Sequence, residues 1–123
     1  MVRRATEDKT REERILFEIV VDAYNETERA MSWYYYLQDQ LEFPFAAECR
    51  SARTTSPLKV GQKTHVVAMA PEDDCKTEIQ VLVKSGRTNL VVPLDQLACE
   101  SKNEGTCQGV ADWHYWKARG YEY

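Results

Sequence analysis

The residues in this chain whose type and spacing could do chemistry are its carboxylates. Asp39 and Glu42 stand three apart, just before Phe43-Pro44, and on a helix that spacing puts both on one flank. Asp22 and Glu26 form a second pair four apart, and Glu72, Asp73 and Asp74 form a run at the tip of a loop between two strand-like segments. Oxygen-rich groups of this kind suit a hard cation. Calcium takes roughly six to eight oxygen ligands at about 2.3–2.6 Å, and carbonyls left free at a helix end can join carboxylates and water in such a shell. No segment carries the EF-hand pattern of acids at alternate positions, a central Gly and a terminal Glu. Spacing alone therefore favours a solvated acidic face over a built ion site.

Other chemistries find less support. The two histidines, His65 and His114, are far apart, and none of the four cysteines (Cys49, Cys75, Cys99, Cys107) makes a Cys-x-x-Cys pair, so a zinc site is not expected. There is no Gly-x-Ser-x-Gly or phosphate loop, and no nucleophile stands with a base, so the chain is not expected to be an enzyme. Nothing in the sequence reads as a secretion signal or an apolar run of membrane-spanning length. With cysteines this sparse, free thiols and a cytoplasmic location are expected. A net charge of −4 disfavours nucleic acid as a partner, despite Arg50, Arg53, Lys59, Lys63 and Arg87.

The elements that would have to position the carboxylates come next. With 123 residues the chain fits one domain, residues 1–123, with residues 1–10 disordered. Leu16, Val20, Ala23, Thr27, Ala30, Tyr34, Leu37 and Leu41 recur at steps of four and three, the period of a helix. One straight helix from Arg11 to Glu42 would be about 48 Å long, too long for a globule of this size, so a kink near Met31-Ser32-Trp33 is expected. Pro44 ends the run. Charge is concentrated in the same stretch: from Ile15 to Glu48 there are seven acids against Arg29 alone. Trp33-Tyr34-Tyr35-Tyr36 is spread around a helix rather than along one face, and so reads as core packing and not as a stacking platform.

From Ser56 onward the texture is of strands and turns. Lys63 to Met69, Thr77 to Lys84 and Thr88 to Pro93 are strand candidates, Lys84-Ser85-Gly86-Arg87 is a hairpin connection, and Val92 to Leu97 is a short edge strand and turn. The expected fold is α+β: the N-terminal helix, kinked or broken, packed on a small SH3-like or Tudor-like β-barrel. A mobile loop from Glu100 to Gly109 and a short C-terminal helix started by Asp112 would follow, with Trp113 and Trp116 docked on the barrel.

Several blocks point further: Glu18-Ile-Val-Val-Asp22-Ala-Tyr24-Asn-Glu26, then Ala30-Met-Ser-Trp-Tyr-Tyr-Tyr-Leu37-Gln-Asp39-Gln-Leu-Glu42-Phe-Pro-Phe45, Ser56-Pro-Leu-Lys-Val-Gly61, Val92-Pro-Leu94 and Asp112-Trp-His-Tyr-Trp116. In these the chain, from about Arg11 to Tyr123, resembles the CcbP family of calcium-binding proteins. The resemblance implies Ca²⁺ binding without an EF-hand, at acidic surface sites, in a cytosolic protein that buffers calcium or signals with it. It implies Asp39 as a ligand, at the position matching an aspartate near the end of the Trp-Tyr-x-Tyr-Leu block. Glu42 follows by proximity, and Glu72, Asp73, Asp74, Asp22 and Glu26 are further candidates from charge alone. The competing expectation is an SH3-like module that binds a protein or peptide without metal.

Overall fold

In the computed structural model, residues 8–54, 56–121 and 123 are described. Of the stretch 1–10 expected to be disordered, residues 1–7 lie outside the described residues. Asp8 caps the first helix, its carboxylate accepting from the Arg11 amide at 3.0 Å. Helix α1 (Lys9–Arg14) runs into a π-helical turn, Ile15–Ile19.

The long helical run does break, but at Val20–Asn25 rather than near Met31-Ser32-Trp33. Asp22 there adopts a left-handed conformation (φ 60°), which aspartate tolerates better than most residues. Asn25 then starts a new helix, accepting from the Glu28 amide at 2.8 Å while Glu28 reaches back to the Tyr24 amide at 2.7 Å. This reciprocal pairing is a variant of the capping box. It fixes the start of α2 (Glu26–Gln40), which passes through Met31-Ser32-Trp33 without interruption. Leu41 turns to extended backbone, and the chain enters the sheet past Pro44.

Five antiparallel strands follow: β1 (Phe45–Cys49), β2 (Lys63–Met69), β3 (Gln80–Ser85), β4 (Thr88–Pro93) and β5 (Leu97–Cys99), in the order β4-β3-β2-β1-β5. Strand β1 lies ahead of the region where strands were expected. The β3–β4 hairpin turns at Gly86-Arg87, with Ser85 opposite Thr88 and Gly86 at φ 59°. Phe45 faces Val66, which faces Val83, and directly opposite residues share a face of the sheet. That row is buried, as are Ile79 and Val81.

The expected SH3-like or Tudor-like barrel is not formed. β4 and β5 are edges of an open sheet, with β3, β2 and β1 between them. A barrel buries its apolar face by closing on itself, whereas this sheet shares its core with helices. The second of these is larger than expected. Helix α3 (Glu104–Ala118) is as long as α2 and begins at Asn103, whose side chain caps the Thr106 amide at 2.8 Å. It takes up most of the segment read as a mobile loop, and Asp112 is mid-helix rather than a start signal. Gly109 is what lets it approach α2: a Cβ there would stand 3.0 Å from Leu41 and 3.1 Å from Gln40.

Trp113 and Trp116 pack on α2 instead of on a barrel, with ring centroids 5.1 and 5.8 Å from Trp33. Of the run expected to pack in the core, Trp33 and Tyr34 are core residues and Tyr36 is half-buried against them, whereas Tyr35 is exposed. Between the helices lies a fully buried carboxylate, Asp112. Arg14 donates to it at 2.9 Å, the Tyr36 hydroxyl at 2.8 Å, and Arg11 Nε stands 3.3 Å away. Burial first, and then the bond to Asp112, push the Tyr36 phenol up to about 12. A second buried acid, Glu12, accepts from Tyr115 at 2.7 Å and Tyr121 at 2.9 Å. Among the described residues no helix is long and apolar enough to cross a membrane.

Two outcomes follow from these buried acids. Arg14→Ala leaves a dry carboxylate without its closest cation and should cost about 3–5 kcal/mol, read as a lower urea midpoint. Asp112→Asn should cost less, because Arg11 and Arg14 are partly exposed and can turn to water. The Tyr115 hydroxyl, helped by Tyr121 and Arg119 and opposed by burial, holds the Glu12 carboxyl below its ordinary value of 4.5. A depressed carboxylate stabilises the fold above its unfolded pKa and loses that contribution as pH falls. Wild type should therefore lose more stability than Glu12→Gln between about pH 5 and pH 3, measured by urea titration at each pH.

Candidate functional site

The candidate carboxylates fall at three places along α2: at its start (Asp22, Glu26), beside its middle turns (Glu72, Asp73, Asp74) and at its end (Asp39, Glu42). At its C-terminal end, Asp39 occupies the last turn and is exposed. That turn holds no basic residue, although a helix C-terminus carries partial negative charge and favours cations there. Its final carbonyls also lack intrahelical donors by geometry. Glu42 is not on the same helical flank as Asp39, because α2 stops at Gln40 and Leu41 is already extended.

Glu42 is instead held by the start of α3. Its amide donates to Thr106 Oγ1 at 2.9 Å, and its carboxylate accepts from Asn103 Nδ2 at 2.8 Å. Gln40 Nε2 donates to the Gly105 carbonyl at 3.0 Å. The end of α2 and the start of α3 are thus stitched together, with Asp39, Glu42 and Glu104 on exposed positions around the seam. Asn103 and Glu104 fall in the segment expected from the sequence to be a mobile loop. The signal that could have found them is the sequence Asn103-Glu-Gly-Thr106, a helix-start pattern with an acid at the first position.

Beside the middle turns of α2, Glu72, Asp73 and Asp74 form a 3₁₀ turn, Glu72–Cys75, at the tip between β2 and β3. Tyr35 of α2 donates to Glu72 at 2.7 Å, and Tyr34 donates to the Ala70 carbonyl at 2.7 Å. Between turn and helix lies a cavity of about 410 Å³ whose walls include Thr27, Met31, Glu72, Asp73 and Lys76. Asp22 and Glu26 do not form the expected helical pair, since Asp22 lies in the break before α2 and Glu26 is the first residue within it. Acids in the first turn, here Glu26 and Glu28, suit the positive end of the helix and need no ion.

Among the described residues, no three His, Cys, Asp or Glu side chains gather closely enough to hold a metal ion. An ion at the end of α2 or at the Glu72 turn would therefore draw part of its shell from backbone carbonyls, amide oxygens and water, which calcium accepts. The donors fit a hard cation: they are oxygens, exposed and partly backed by hydrogen bonds. Three of the five basic residues noted in the sequence are paired with acids. Arg50 pairs with Asp95 at 2.7 Å, Arg53 with Glu78 at 2.7 Å, and Lys63 with Glu100 at 2.7 Å.

Comparison with known proteins bears on which ion. The model of the CcbP family, described as calcium binding, matches residues 13–117. Among solved structures, the chain is similar to CcbP of Anabaena, at 40% identity and a TM-score of 0.85, covering 98% of this chain and 99% of that one. It is also similar to a calcium-binding protein in its calcium-binding form, at 38% identity and a TM-score of 0.83, covering 95% and 96%. No match was found among curated proteins. The peptide-binding alternative finds no support, because the barrel on which it rested is absent. The chain belongs to the CcbP family of calcium-binding proteins, a binding protein for Ca²⁺ that has no EF-hand rather than an enzyme.

Proposed function

We propose that Ca²⁺ binds at the seam between α2 and α3, with Asp39 and Glu42 as its carboxylate ligands. The observation that carries this reading is the placement of Asp39. It is an exposed anion in the last turn of a 15-residue helix with no cation in that turn, a position that costs helix stability unless a positive charge arrives. A calcium ion there would meet Asp39, the carbonyls of the last turn and Glu42 across the seam. Asn103 has two tasks in this arrangement. It caps α3, and its donation fixes one oxygen of Glu42.

The turn Glu72-Asp73-Asp74 is a second, independent site in this proposal, favoured by the cavity that Glu72 and Asp73 border. Tyr35 holds Glu72 in place there. The acids Asp22 and Glu26 would contribute general negative potential and not a shared shell. Sites this exposed, with few charged ligands, belong to the weaker part of the calcium range, micromolar to millimolar. That affinity suits a cytoplasmic calcium buffer or signalling component acting as one domain. Four unbridged thiols are in keeping with a reducing compartment.

Calorimetric titration of the metal-stripped protein should show saturable binding that prefers Ca²⁺ over Mg²⁺. Asp39→Asn should weaken one binding phase about tenfold, roughly 1.4 kcal/mol, while Glu72→Gln with Asp73→Asn affects another. Unchanged affinity in Asp39→Asn would sink the seam as a site. Asn103→Ala should lower stability by about 1 kcal/mol through loss of the cap, measured by urea unfolding without calcium.

A further inference from the structure

Calcium binding gives no role to the cysteines, and two of the four are adjacent. Cys99 ends β5 and Cys107 lies in the first turns of α3, with their Sγ atoms 3.0 Å apart. Both are half-buried, within reach of a small reagent, whereas Cys49 and Cys75 are buried. The two sulfurs are held toward each other from both sides. Cys99 is fixed by the pairing of β5 with β1, where Ala47 faces it. Cys107 is fixed by its helix, its amide donating to Asn103 O at 3.1 Å, and by its thiol, which donates to the Ser101 carbonyl at 3.1 Å. Only the short segment 100–106 separates them, so the chain entropy lost on joining them is small.

We infer that Cys99 and Cys107 are a redox-active thiol pair that closes to a disulfide by exchange with a small-molecule disulfide. Burial, and then the contact with Cys107, raise the Cys99 thiol above its ordinary value, which makes Cys99 the poorer first nucleophile. The Cys107 sulfur bonds to one sulfur of the oxidant and expels the other as a thiol. The Cys99 sulfur then attacks Cys107 in this mixed disulfide, forming the Cys99–Cys107 bond and expelling the second thiol. The two electrons and two protons of the protein thiols end on the two small thiols. Bond formation needs an approach from 3.0 Å to about 2.05 Å. The inference rests on the thiol geometry and not on where calcium binds.

The test is to incubate the folded, full-length protein with oxidised glutathione, quench with acid, and count thiols by alkylation in denaturant. The expected result is loss of two of four thiols and a mass lower by two hydrogens. Trypsin cuts after Lys102, so the bond should join peptide 88–102 to peptide 103–117 and be released by dithiothreitol. Cys49→Ser with Cys75→Ser should form the same bond. Cys99→Ser should instead stop at a stable glutathione adduct on Cys107, with circular dichroism used to verify that it is folded. Four thiols remaining in the wild type, a persistent adduct, or a bond to any other cysteine or between two chains would overturn the inference.

Discussion

A single carboxylate with no exposed surface holds the helical layer in register. Asp112 sits in the middle of α3 and receives Arg14 from α1 and Tyr36 from α2. A buried charge is tolerated only where it is paired and hydrogen-bonded, so the three helices have one mutual arrangement that satisfies it. The tryptophan cluster and the close contact at Gly109 supply packing around that point. Hydrophobic burial drives the helices together, but it is nearly indifferent to small rotations about their axes. The charge is not, because a bidentate arginine and a tyrosine hydroxyl must both reach it. The orientation of α3, and with it the position of Asn103 at its start, follows from this constraint.

The seam that holds the candidate ligands is therefore a by-product of core geometry. Once α2 and α3 are locked, the last turn of one helix and the first turn of the other are neighbours, and side chains from each bridge them. The negative end of α2 is left facing solvent with Asp39 upon it. Nothing in the core requires an acid there. The contrast with Glu26 and Glu28, which lie at the favourable end of the same helix, separates acids that help the helix from acids that do not.

How far the sequence could be read depended on the range of the interactions involved. The period of the apolar residues revealed α2, and the alternation of Ile79, Val81 and Val83 revealed β3 with its hairpin, because both are local patterns. The break at Val20–Asn25 was also legible locally, in Asn25-x-x-Glu28, but helix length suggested a kink nearer the middle. Strand β1 was missed because Phe45-Ala-Ala-Glu-Cys49 is short and two of its five residues are alanine, a weak strand former. α3 was cut short because Gly105 and Gly109 lower its intrinsic propensity, and tertiary contact with α2 overrides that. Barrel closure depends on which strands meet, a question of long-range pairing that no window of residues answers. The candidate carboxylates were found by type, yet Asp39 and Glu42 relate to each other across a chain turn, and Glu42 depends on Asn103, 61 residues away.

The clustering of all three tryptophans has a spectroscopic consequence. Trp113 and Trp116 of α3 each lie within 6 Å of Trp33 on α2, and Tyr36, Tyr121 and Tyr123 pack against one or another of them. Excitation absorbed by a neighbouring tyrosine passes readily to indoles this near, so the emission is that of a single buried antenna. Its colour and intensity describe the dryness and order of the helical layer and are blind to ligand exchange at the protein surface. An ion that binds without disturbing that layer would be silent in intrinsic fluorescence while fully visible in heat.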